Sequence, residues 1–320
     1  MMSDGSAMTD NGNSSLEKPR ILITGGSGLL ALNWYAAVRD EWDVVLGFHD
    51  RMPAVQGATG IAIDLESKER LLAILDAYAP EFVVHAAGCT SVESCEKAPD
   101  IARHVNIGLA ENMAHVCRAR GVPLVHISTD HLFSGADMMA DEEAPIAPLN
   151  VYGKTKAEAE LRVLEICPDA LVIRTNFYGW GTGYRRSFSD VIIDALRQQR
   201  PITLFDDVYY TPILAESLAE AVHDLFERKA SGVFNVVGSL RLTKYRFGML
   251  LAEAFGLDPA PIRRGALSDL PGLVNRPRDM SLSNRKVRAF LGRDPGSVSD
   301  HLLRLREQEQ AGLATELGKL

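Results

Sequence analysis

The chain has 320 residues, of which 46% are hydrophobic, so it can bury a substantial core in one large α/β domain or in a domain with a smaller partner lobe. Its 42 acidic residues outnumber 34 Lys and Arg, and the formal net charge of -8 argues against a general nucleic-acid binder, although a local basic pocket remains compatible with it. No apolar run approaches the roughly 20 residues that span a bilayer, so we expect no membrane partner.

Residues 1–18 are rich in Ser, Asn, Gly and Asp and lack the hydrophobic core of a secretory signal. We interpret them as a disordered leader and expect a cytoplasmic protein. The four cysteines form no CxxC pair and no zinc-type spacing with histidine, so we expect no metal site. In a reducing cytoplasm they are predicted to be buried or idle thiols.

The first predicted strand, Arg20–Thr24, runs into a glycine turn at residues 25–31 and then into a helix that continues through Asp40. In this setting Gly25 permits a tight turn and Gly28 lets the backbone approach a pyrophosphate, which the N–H groups at the helix start attract. The turn therefore predicts dinucleotide binding. The cofactor-binding residues assigned here are Gly25, Ser27, Gly28, Leu29 and Leu30.

The pattern continues with predicted strands at residues 43–48, 60–64, 82–85 and 123–127 and predicted helices at residues 67–78 and 99–120. Alternating strands and helices indicate an α/β fold, a Rossmann-type doubly wound parallel sheet with helices on both faces. Ligands on such sheets bind beyond the carboxyl ends of the strands, so the residues that follow each strand are the site candidates.

The second strand is followed by His49, Asp50 and Arg51, which offer both kinds of ribose recognition. An acidic residue here binds the ribose hydroxyls of NAD, whereas a basic residue favours the 2′-phosphate of NADP. We favour NADP(H), because His49 and Arg51 can bracket a phosphate, but Asp50 keeps NAD(H) open. The alternative is that all three are solvated loop residues.

The third and fourth strands contribute further cofactor candidates. Asp64 and Leu65 are assigned to the adenine edge, although Asp64 as a helix cap is nearly as good an interpretation. After the fourth strand, small residues allow a nicotinamide ribose and a pyrophosphate to lie against the sheet; they are Ala86, Ala87 and Gly88.

Asn106 lies in the middle of the predicted helix 99–120, where Asn is a poor helix former, and we expect it to bond the backbone near the fourth strand and to contribute to the cofactor site. Ser128 and Thr129 follow the fifth strand, and a hydroxyl there can hydrogen-bond a substrate carbonyl. The alternative is an ordinary Ser/Thr/Asp turn.

Tyr152 and Lys156 stand four residues apart near a predicted helix start, so their side chains share one face. A fixed positive charge lowers the pKa of a phenol from its ordinary ~10. This predicts Tyr152 as a general acid with Lys156 as its electrostatic partner, against the plain alternative of a surface pair. Of the eight tyrosines, Tyr152 alone is followed by lysine four positions later.

The glycine turn, the hydroxyls at 128–129 and the Tyr152/Lys156 pair occur in the order typical of the extended short-chain dehydrogenase/reductase family. More narrowly, residues 85–93, 128–135, 150–156 and 174–178 resemble dTDP-4-dehydrorhamnose reductases. The resemblance implies an NAD(P)-binding Rossmann domain over residues 19–175, which carries the Tyr/Lys helix. It also implies a substrate-binding lobe over residues 176–320, of which residues 208–240 partly return to the first domain.

The resemblance also implies individual roles. It makes Thr129, Tyr152 and Lys156 catalytic, with Ser128, Tyr152 and Lys156 also contacting the cofactor. It places Val92, Asp130 and Phe177 near the sugar nucleotide. Two positions depart from the usual pattern, because His131 stands where these reductases usually have Tyr and Phe177 where they usually have Trp.

The second half of the chain carries arginines suited to a diphosphate, since a guanidinium fork fits phosphate oxygens. Arg276 and Arg278 are the preferred pair over Arg185 and Arg186, and with His131 they are assigned to the substrate. The final segment from residue 297 is predicted to be a charge-rich amphipathic helix that packs on the lobe or on another subunit.

The sequence therefore predicts an NAD(P)H-dependent reductase of a keto group on a nucleotide-activated deoxysugar. The alternatives are a nucleotide-sugar epimerase with tightly bound NAD and a non-catalytic regulatory subunit with the same fold. The expected partner is a small-molecule nucleotide sugar, with neither nucleic acid nor membrane, and a homodimer is compatible with the sequence.

Overall fold

The computed structural model describes residues 18–270 and 272–320. The predicted leader lies outside these residues except for Lys18. The strands, in chain order, are β1 (Arg20–Thr24), β2 (Asp43–Phe48), β3 (Thr59–Ala62), β4 (Phe82–His85), β5 (Leu124–Ile127), β6 (Leu171–Arg174), β7 (Phe177–Tyr178), β8 (Ile202–Phe205), β9 (Tyr209–Tyr210), β10 (Ile213–Leu214), β11 (Gly232–Asn235), β12 (Leu242–Thr243) and β13 (Ile262–Gly265).

The helices alternate with these strands through the first half of the chain and dominate the end of it. They are α1 (Leu29–Val38), α2 (Lys68–Tyr78), α3 (Val92–Lys97), α4 (Pro99–Arg103), α5 (Leu109–Arg120), α6 (Val151–Ile166), α7 (Phe188–Arg197), α8 (Ala215–Glu227), α9 (Lys244–Phe255), α10 (Arg285–Leu291), α11 (Val298–Gln310) and α12 (Leu313–Gly318). A π-helical segment covers His104–Gly108, and a 3-10 turn covers Leu267–Asp269.

A seven-stranded parallel sheet in the order β11-β6-β5-β4-β1-β2-β3 forms the centre of the molecule. The side chains of β1 alternate between two cores: Ile21 and Ile23 face one, and Leu22 faces the other. Parallel strands covered by helices on both faces are buried throughout, which explains the unbroken apolar run of β1. The predicted Rossmann-type α/β class is confirmed.

The strand order reverses between β1 and β4, the two neighbours whose crossovers run in opposite directions. Where this happens, the loops at the carboxyl ends diverge and leave a crevice in which ligands of doubly wound sheets bind. The glycine turn after β1 and the small residues after β4 therefore face each other across one opening.

Residues after β6 build three two-stranded sheets, which pair β7 with β10, β9 with β12 and β8 with β13. β11, although it also follows β6 in the chain, belongs to the main sheet and pairs in parallel with β6 at its edge. One apolar core is shared by both regions, since Trp34 of α1, Phe247 of α9 and Leu305 of α11 belong to the same buried cluster. Within the described ranges, no helix has the length and apolar character needed to cross a membrane.

The prediction of a single helix over residues 99–120 is wrong in detail, because the structure has three consecutive segments there: α4, the π-helical segment and α5. Asn106 lies in the π-helical part, where its side-chain oxygen accepts from the Cys89 N–H at 2.8 Å. Its amide nitrogen donates to the Cys89 carbonyl at 3.1 Å and to the Thr155 hydroxyl at 3.0 Å. The widened turn thus joins the loop after β4 to α6.

A buried ion pair fixes the far side of α6. Arg174 at the end of β6 and Glu160 of α6 are 4% and 3% exposed, and Arg174 Nη2 lies 2.8 Å from Glu160 Oε2. Arg174 Nε donates to both carboxylate oxygens at 3.1 Å. Such a pair is costly to break, because removing one charge leaves the other buried without compensation.

We expect Glu160→Gln to lower the free energy of unfolding by about 3–5 kcal/mol, since Arg174 keeps its buried charge and loses its counter-ion. Urea denaturation monitored by circular dichroism measures this change. Asp76→Asn is the matched control, because it breaks the exposed, bidentate Arg120 pair and should shift the midpoint little. Equal shifts for the two variants contradict the prediction.

Candidate active site

A cleft of about 370 Å³ opens at the carboxyl ends of β1 and β4, where the strand order reverses. Most of the predicted cofactor residues line it, namely Gly25, Ser27, Gly28, Leu29, Leu30, His49, Asp64, Leu65, Ala86, Ala87 and Gly88. Phe177, predicted on the substrate side, lines the same cleft. Sequence reasoning missed Glu66, Thr90, Val105 and Leu109, which also line it.

The glycine turn leaves the start of α1 accessible to a ligand. Gly25 has φ 69°, and a Cβ there would lie 2.9 Å from the Ala87 nitrogen, so a side chain would be both strained and obstructed. Gly28 is the N-cap of α1, and within the described chain no side chain caps this helix. Its first turn also carries no acidic residue among those described. The free N–H groups and the partial positive charge of the helix end suit an anionic ligand.

Of the residues after β2, His49 lines this cleft, whereas Asp50 and Arg51 line an adjoining cavity that shares Ser27 and His49 with it. His49 Nδ1 is 3.1 Å from Asp50 Oδ1, with the two side chains 82% and 89% exposed. The Arg51 guanidinium lies over the ring of Tyr184, 4.2 Å from its centroid, and the Tyr184 hydroxyl donates to the Ser27 carbonyl at 2.8 Å. Arg51 is thereby held above the glycine turn by an aromatic residue that no local sequence signal identified.

Asp64 is not the cap of α2, so that alternative is wrong. Ser67 caps the helix by accepting from the Arg70 N–H at 3.3 Å. Asp64 instead accepts from the Glu66 N–H at 3.0 Å and pairs with Arg70 at 3.0 Å, while it remains part of the cleft lining.

Five residues predicted to contact the cofactor do not line the cleft, namely Arg51, Asn106, Ser128, Tyr152 and Lys156, and all of these except Arg51 are buried. Asn106 is engaged with the Cys89 backbone instead. The Ser128 N–H donates to the Ile173 carbonyl at 2.7 Å, and its hydroxyl has no hydrogen-bond partner within the described chain.

Tyr152 and Lys156 lie in the first turns of α6, which begins after the cap residue Asn150. The Asn150 side chain accepts from the Gly153 N–H at 2.9 Å. Gly153 packs so closely on the loop after β5 that a Cβ there would lie 2.3 Å from the His131 carbonyl oxygen. This contact brings the first turn of α6 against the loop that carries Thr129, and both Tyr152 and Thr129 are buried.

The electrostatics of Tyr152 differ from the expectation. Burial raises the pKa of Tyr152, a hydrogen bond from Thr129 opposes the rise, and the charge of Asp130 adds to it. Lys156 Nζ donates to the Ile127 carbonyl at 2.6 Å and lies 3.4 Å from His126 Nε2. Burial outweighs the lowering effects, so the prediction that the pKa of Tyr152 lies below its ordinary value is wrong. Burial also lowers the pKa of Lys156, to about 8.

The predicted substrate residues divide between two places. His131 lies edge-on to Tyr152, with ring centroids 5.4 Å apart, and its buried Nδ1 has no partner within the described residues. Asp130 accepts from the Asn176 amide at 2.5 Å. Val92 is buried in one apolar cluster with Tyr152. Arg276 and Arg278 line a second cavity of about 470 Å³ beside residues 134–136.

Each of the four candidate arginines has a protein partner. Arg276 pairs with Glu93, and Arg278 lies 3.9 Å from Asp207. Arg186 pairs with Asp194, whereas Arg185 donates to the Thr90 hydroxyl at 2.9 Å and lines the cleft at the carboxyl ends of β1 and β4. Arg185 is therefore the arginine best placed toward a dinucleotide.

Sequence reasoning also missed Lys244, because nothing in its local pattern separates it from a surface lysine. Its Nζ lies 3.4 Å from the ring centroid of Tyr210. Burial lowers the pKa of Lys244 to about 8, and the Asp130 carboxylate opposes the shift. The Tyr210 hydroxyl is buried and has no partner among the described residues.

Known proteins resemble the chain over nearly its whole length. The model of the RmlD substrate binding domain matches residues 19–310. The probable low-salt glycan biosynthesis reductase of Haloferax volcanii is 31% identical over 288 residues, which cover 88% of this chain and 96% of that protein. The dTDP-4-keto-6-deoxy-D-glucose reductase of Streptomyces niveus is 30% identical over 265 residues, covering 81% and 86%. Methionine adenosyltransferase 2 subunit beta of Rattus norvegicus is 29% identical over 278 residues, covering 84% and 81%.

A solved structure of dTDP-4-dehydrorhamnose reductase from Bacillus anthracis in complex with NADP has the same fold, with a TM-score of 0.80 at 22% identity. The superposition covers 91% of this chain and 99% of that one. The chain therefore belongs to the RmlD substrate binding domain family, within the extended short-chain dehydrogenase/reductases whose motifs it carries in order.

Proposed function

We propose that the protein reduces a keto group on a nucleotide-activated deoxysugar, with NADPH as the preferred reductant. The observation that carries the proposal is the buried Tyr152/Thr129 hydroxyl pair beyond β5, two strands away from the glycine turn of β1. The relatives named as reductases, at 31% and 30% identity, support the same chemistry.

The chain's own residues fit a dinucleotide. We assign the pyrophosphate to the uncapped start of α1, where Gly25 and Gly28 leave the backbone accessible. Ala86, Ala87 and Gly88 form the opposite wall, and Arg185 adds a guanidinium to the lining. Bound NADPH supplies the hydride for the carbonyl carbon.

Tyr152 is the proposed proton donor to the carbonyl oxygen. Its raised pKa keeps the phenol protonated at neutral pH, as a general acid must be at the start of the reaction. Thr129, hydrogen-bonded to Asp130 at 3.3 Å, orients the carbonyl oxygen toward Tyr152. Lys156, held by the Ile127 carbonyl, is assigned to the nicotinamide ribose.

On the substrate side, His131 lies edge-on to Tyr152, and the charges of Asp130 and Lys244 act on His131, so these three polar groups suit the hydroxyls of a sugar. Val92 and Phe177 complete the proposed sugar site, and Arg276 and Arg278 are assigned to the diphosphate.

We propose residues 19–175 as the cofactor domain and most of residues 176–320 as the substrate lobe, with residues 208–240 partly in the first domain.

A second candidate function is a non-catalytic subunit of another enzyme. The observation that favours it is the 29% identity to methionine adenosyltransferase 2 subunit beta, nearly equal to that of the reductases. His131 in place of the usual Tyr is compatible with either function.

The remaining alternative is a nucleotide-sugar epimerase with tightly bound NAD. It is distinguished from the reductase by NAD that is released when freshly purified protein is denatured.

Tyr152→Phe removes the proposed proton and should reduce the rate of keto-sugar reduction by about 10²–10⁴-fold without changing cofactor affinity. The measurement is NADPH oxidation with dTDP-, UDP- and GDP-linked 4-keto sugars, beside NADPH binding by fluorescence. Tyr78→Phe, in α2 away from the cleft, is the control and should keep its rate. A near-normal rate for Tyr152→Phe rejects the mechanism, and an inactive wild-type protein that co-purifies with a partner enzyme favours the subunit.

The two shifted groups predict the pH dependence of kcat/KM. Because the pKa of Lys156 is lowered to about 8 while that of Tyr152 is raised, a rising pH removes the lysine charge before the phenol proton. We expect kcat/KM to fall as the pH rises through about 8. Lys156→Met should lower kcat/KM at every pH and remove its fall near pH 8. Burial lowers the pKa of Lys244 to about 8 as well, so Lys244→Met is the control. In this variant kcat/KM should still fall as the pH rises through about 8.

Arg51→Ala should raise the KM for NADPH about tenfold and leave the KM for NADH unchanged, since a charged hydrogen bond to a phosphate contributes about 1.5–3 kcal/mol. Asp50→Ala is the matched control in the same loop and should not weaken NADPH binding. Equal KM values for NADPH and NADH in the wild-type protein reject the preference.

A further inference from the structure

The structure brings together two of the four cysteines that the sequence predicted to be buried or idle thiols. Cys89 lies in the loop after β4, and Cys95 lies in α3, whose N-terminus is capped by Ser91. Their sulfur atoms are 3.4 Å apart, and Cys95 Sγ also lies 3.5 Å from the Cys89 carbonyl oxygen. A disulfide has an S–S distance of about 2.05 Å, so closing this pair requires an approach of about 1.4 Å.

We propose that Cys89 and Cys95 form a redox-active pair, a modification site at which a peroxide produces an intramolecular disulfide beside the candidate active site. The pair differs from Cys117 and Cys167, which are buried in a separate apolar cluster. The proposal is independent of the substrate of the enzyme.

The two thiols have different roles because their exposure differs. Cys89 is half-buried and meets the oxidant, whereas Cys95 is fully buried behind it. Burial, together with the hydrogen bond to Cys89, raises the pKa of Cys95 to about 12. The attacking thiolate is therefore Cys89, and Cys95 is the resolving thiol.

The chemistry balances with one peroxide. The Cys89 thiolate attacks hydrogen peroxide, the O–O bond breaks, and the departing hydroxide takes up a proton to become water, which leaves Cys89 as a sulfenic acid. The Cys95 sulfur then attacks the Cys89 sulfur: the S–S bond forms, the S–O bond breaks, and the Cys95 thiol proton leaves with the oxygen as a second water. Two thiols are oxidised and one peroxide is reduced to two waters.

Formation of the disulfide would disturb the candidate active site, because both Cys89 and Cys95 contact residues connected to it. Asn106 holds the Cys89 backbone by its N–H and its carbonyl and also donates to Thr155 of α6. Cys95 is buried in the same apolar cluster as Tyr152. Displacement of a catalytic group by about 1 Å can cost on the order of 10²-fold in rate, so the disulfide should inactivate the enzyme reversibly.

The test is oxidation of the full-length protein with hydrogen peroxide, followed by alkylation of the remaining thiols under denaturing conditions and peptide mapping. We expect two of the four thiols to be protected. A glutamyl protease that cuts after Glu93 separates the two cysteines, so the fragments that carry Cys89 and Cys95 should stay linked until a dithiol reductant is added.

Cys95→Ser should abolish the link, whereas Cys167→Ser, the matched buried control, should form it like the wild-type protein. Four alkylated thiols after oxidation, a link between other cysteines, or oxygen added to Cys89 without a link each overturn the proposal. The mapping needs no activity assay, so failure of the proposed reductase function leaves this test intact. If NADPH oxidation is present, it should fall on the order of 10²-fold on oxidation and recover on reduction.

Discussion

The packing of α6 on the sheet is the constraint on which the candidate site depends. Gly153 lies against the His131 carbonyl oxygen with no room for a Cβ, so the first turn of α6 and the loop after β5 are held together. Lys156 adds a hydrogen bond to the last residue of β5, and the buried Arg174–Glu160 pair joins α6 to β6. These contacts hold Tyr152 of α6 against the loop that carries Thr129.

Burial of this contact determines the protonation of the site. A low dielectric disfavours charge on a phenol and on an amine alike, so it raises the pKa of Tyr152 and lowers that of Lys156. Both groups are thus shifted toward their neutral forms. A neutral phenol is what the proposed proton donation requires, and a lysine that titrates near neutrality makes the site sensitive to its ligands.

The loop after β4 serves several parts of the molecule at once. Its first residues line the cleft opposite the glycine turn, Cys89 contacts the buried thiol of Cys95, and Asn106 connects its backbone to α6. The π-helical segment that carries Asn106 provides this connection, as such bulges often do beside functional sites. Hydrogen bonds and packing therefore connect the cleft and the thiol pair to α6.

Local patterns in the sequence were sufficient to predict β1, the glycine turn and α1. The signals for these elements, an apolar run, two glycines and a helix start, each depend on only a few neighbouring residues. The α/β class and the family followed from the order of such patterns, and most of the cleft lining followed from the rule that ligands bind beyond strand ends. The spacing of Tyr152 and Lys156 correctly indicated one helix.

Only the tertiary structure decided what these groups contact. Lys156 donates to the last residue of β5, burial raises the pKa of the Tyr152 phenol, and Tyr184, Arg185 and Lys244 reach the site from distant segments. Helix periodicity gave no indication of the π-helical turn at Asn106. Contacts between residues far apart in sequence, and the desolvation that burial imposes, depend on how the whole chain packs, and no local pattern in the sequence records them.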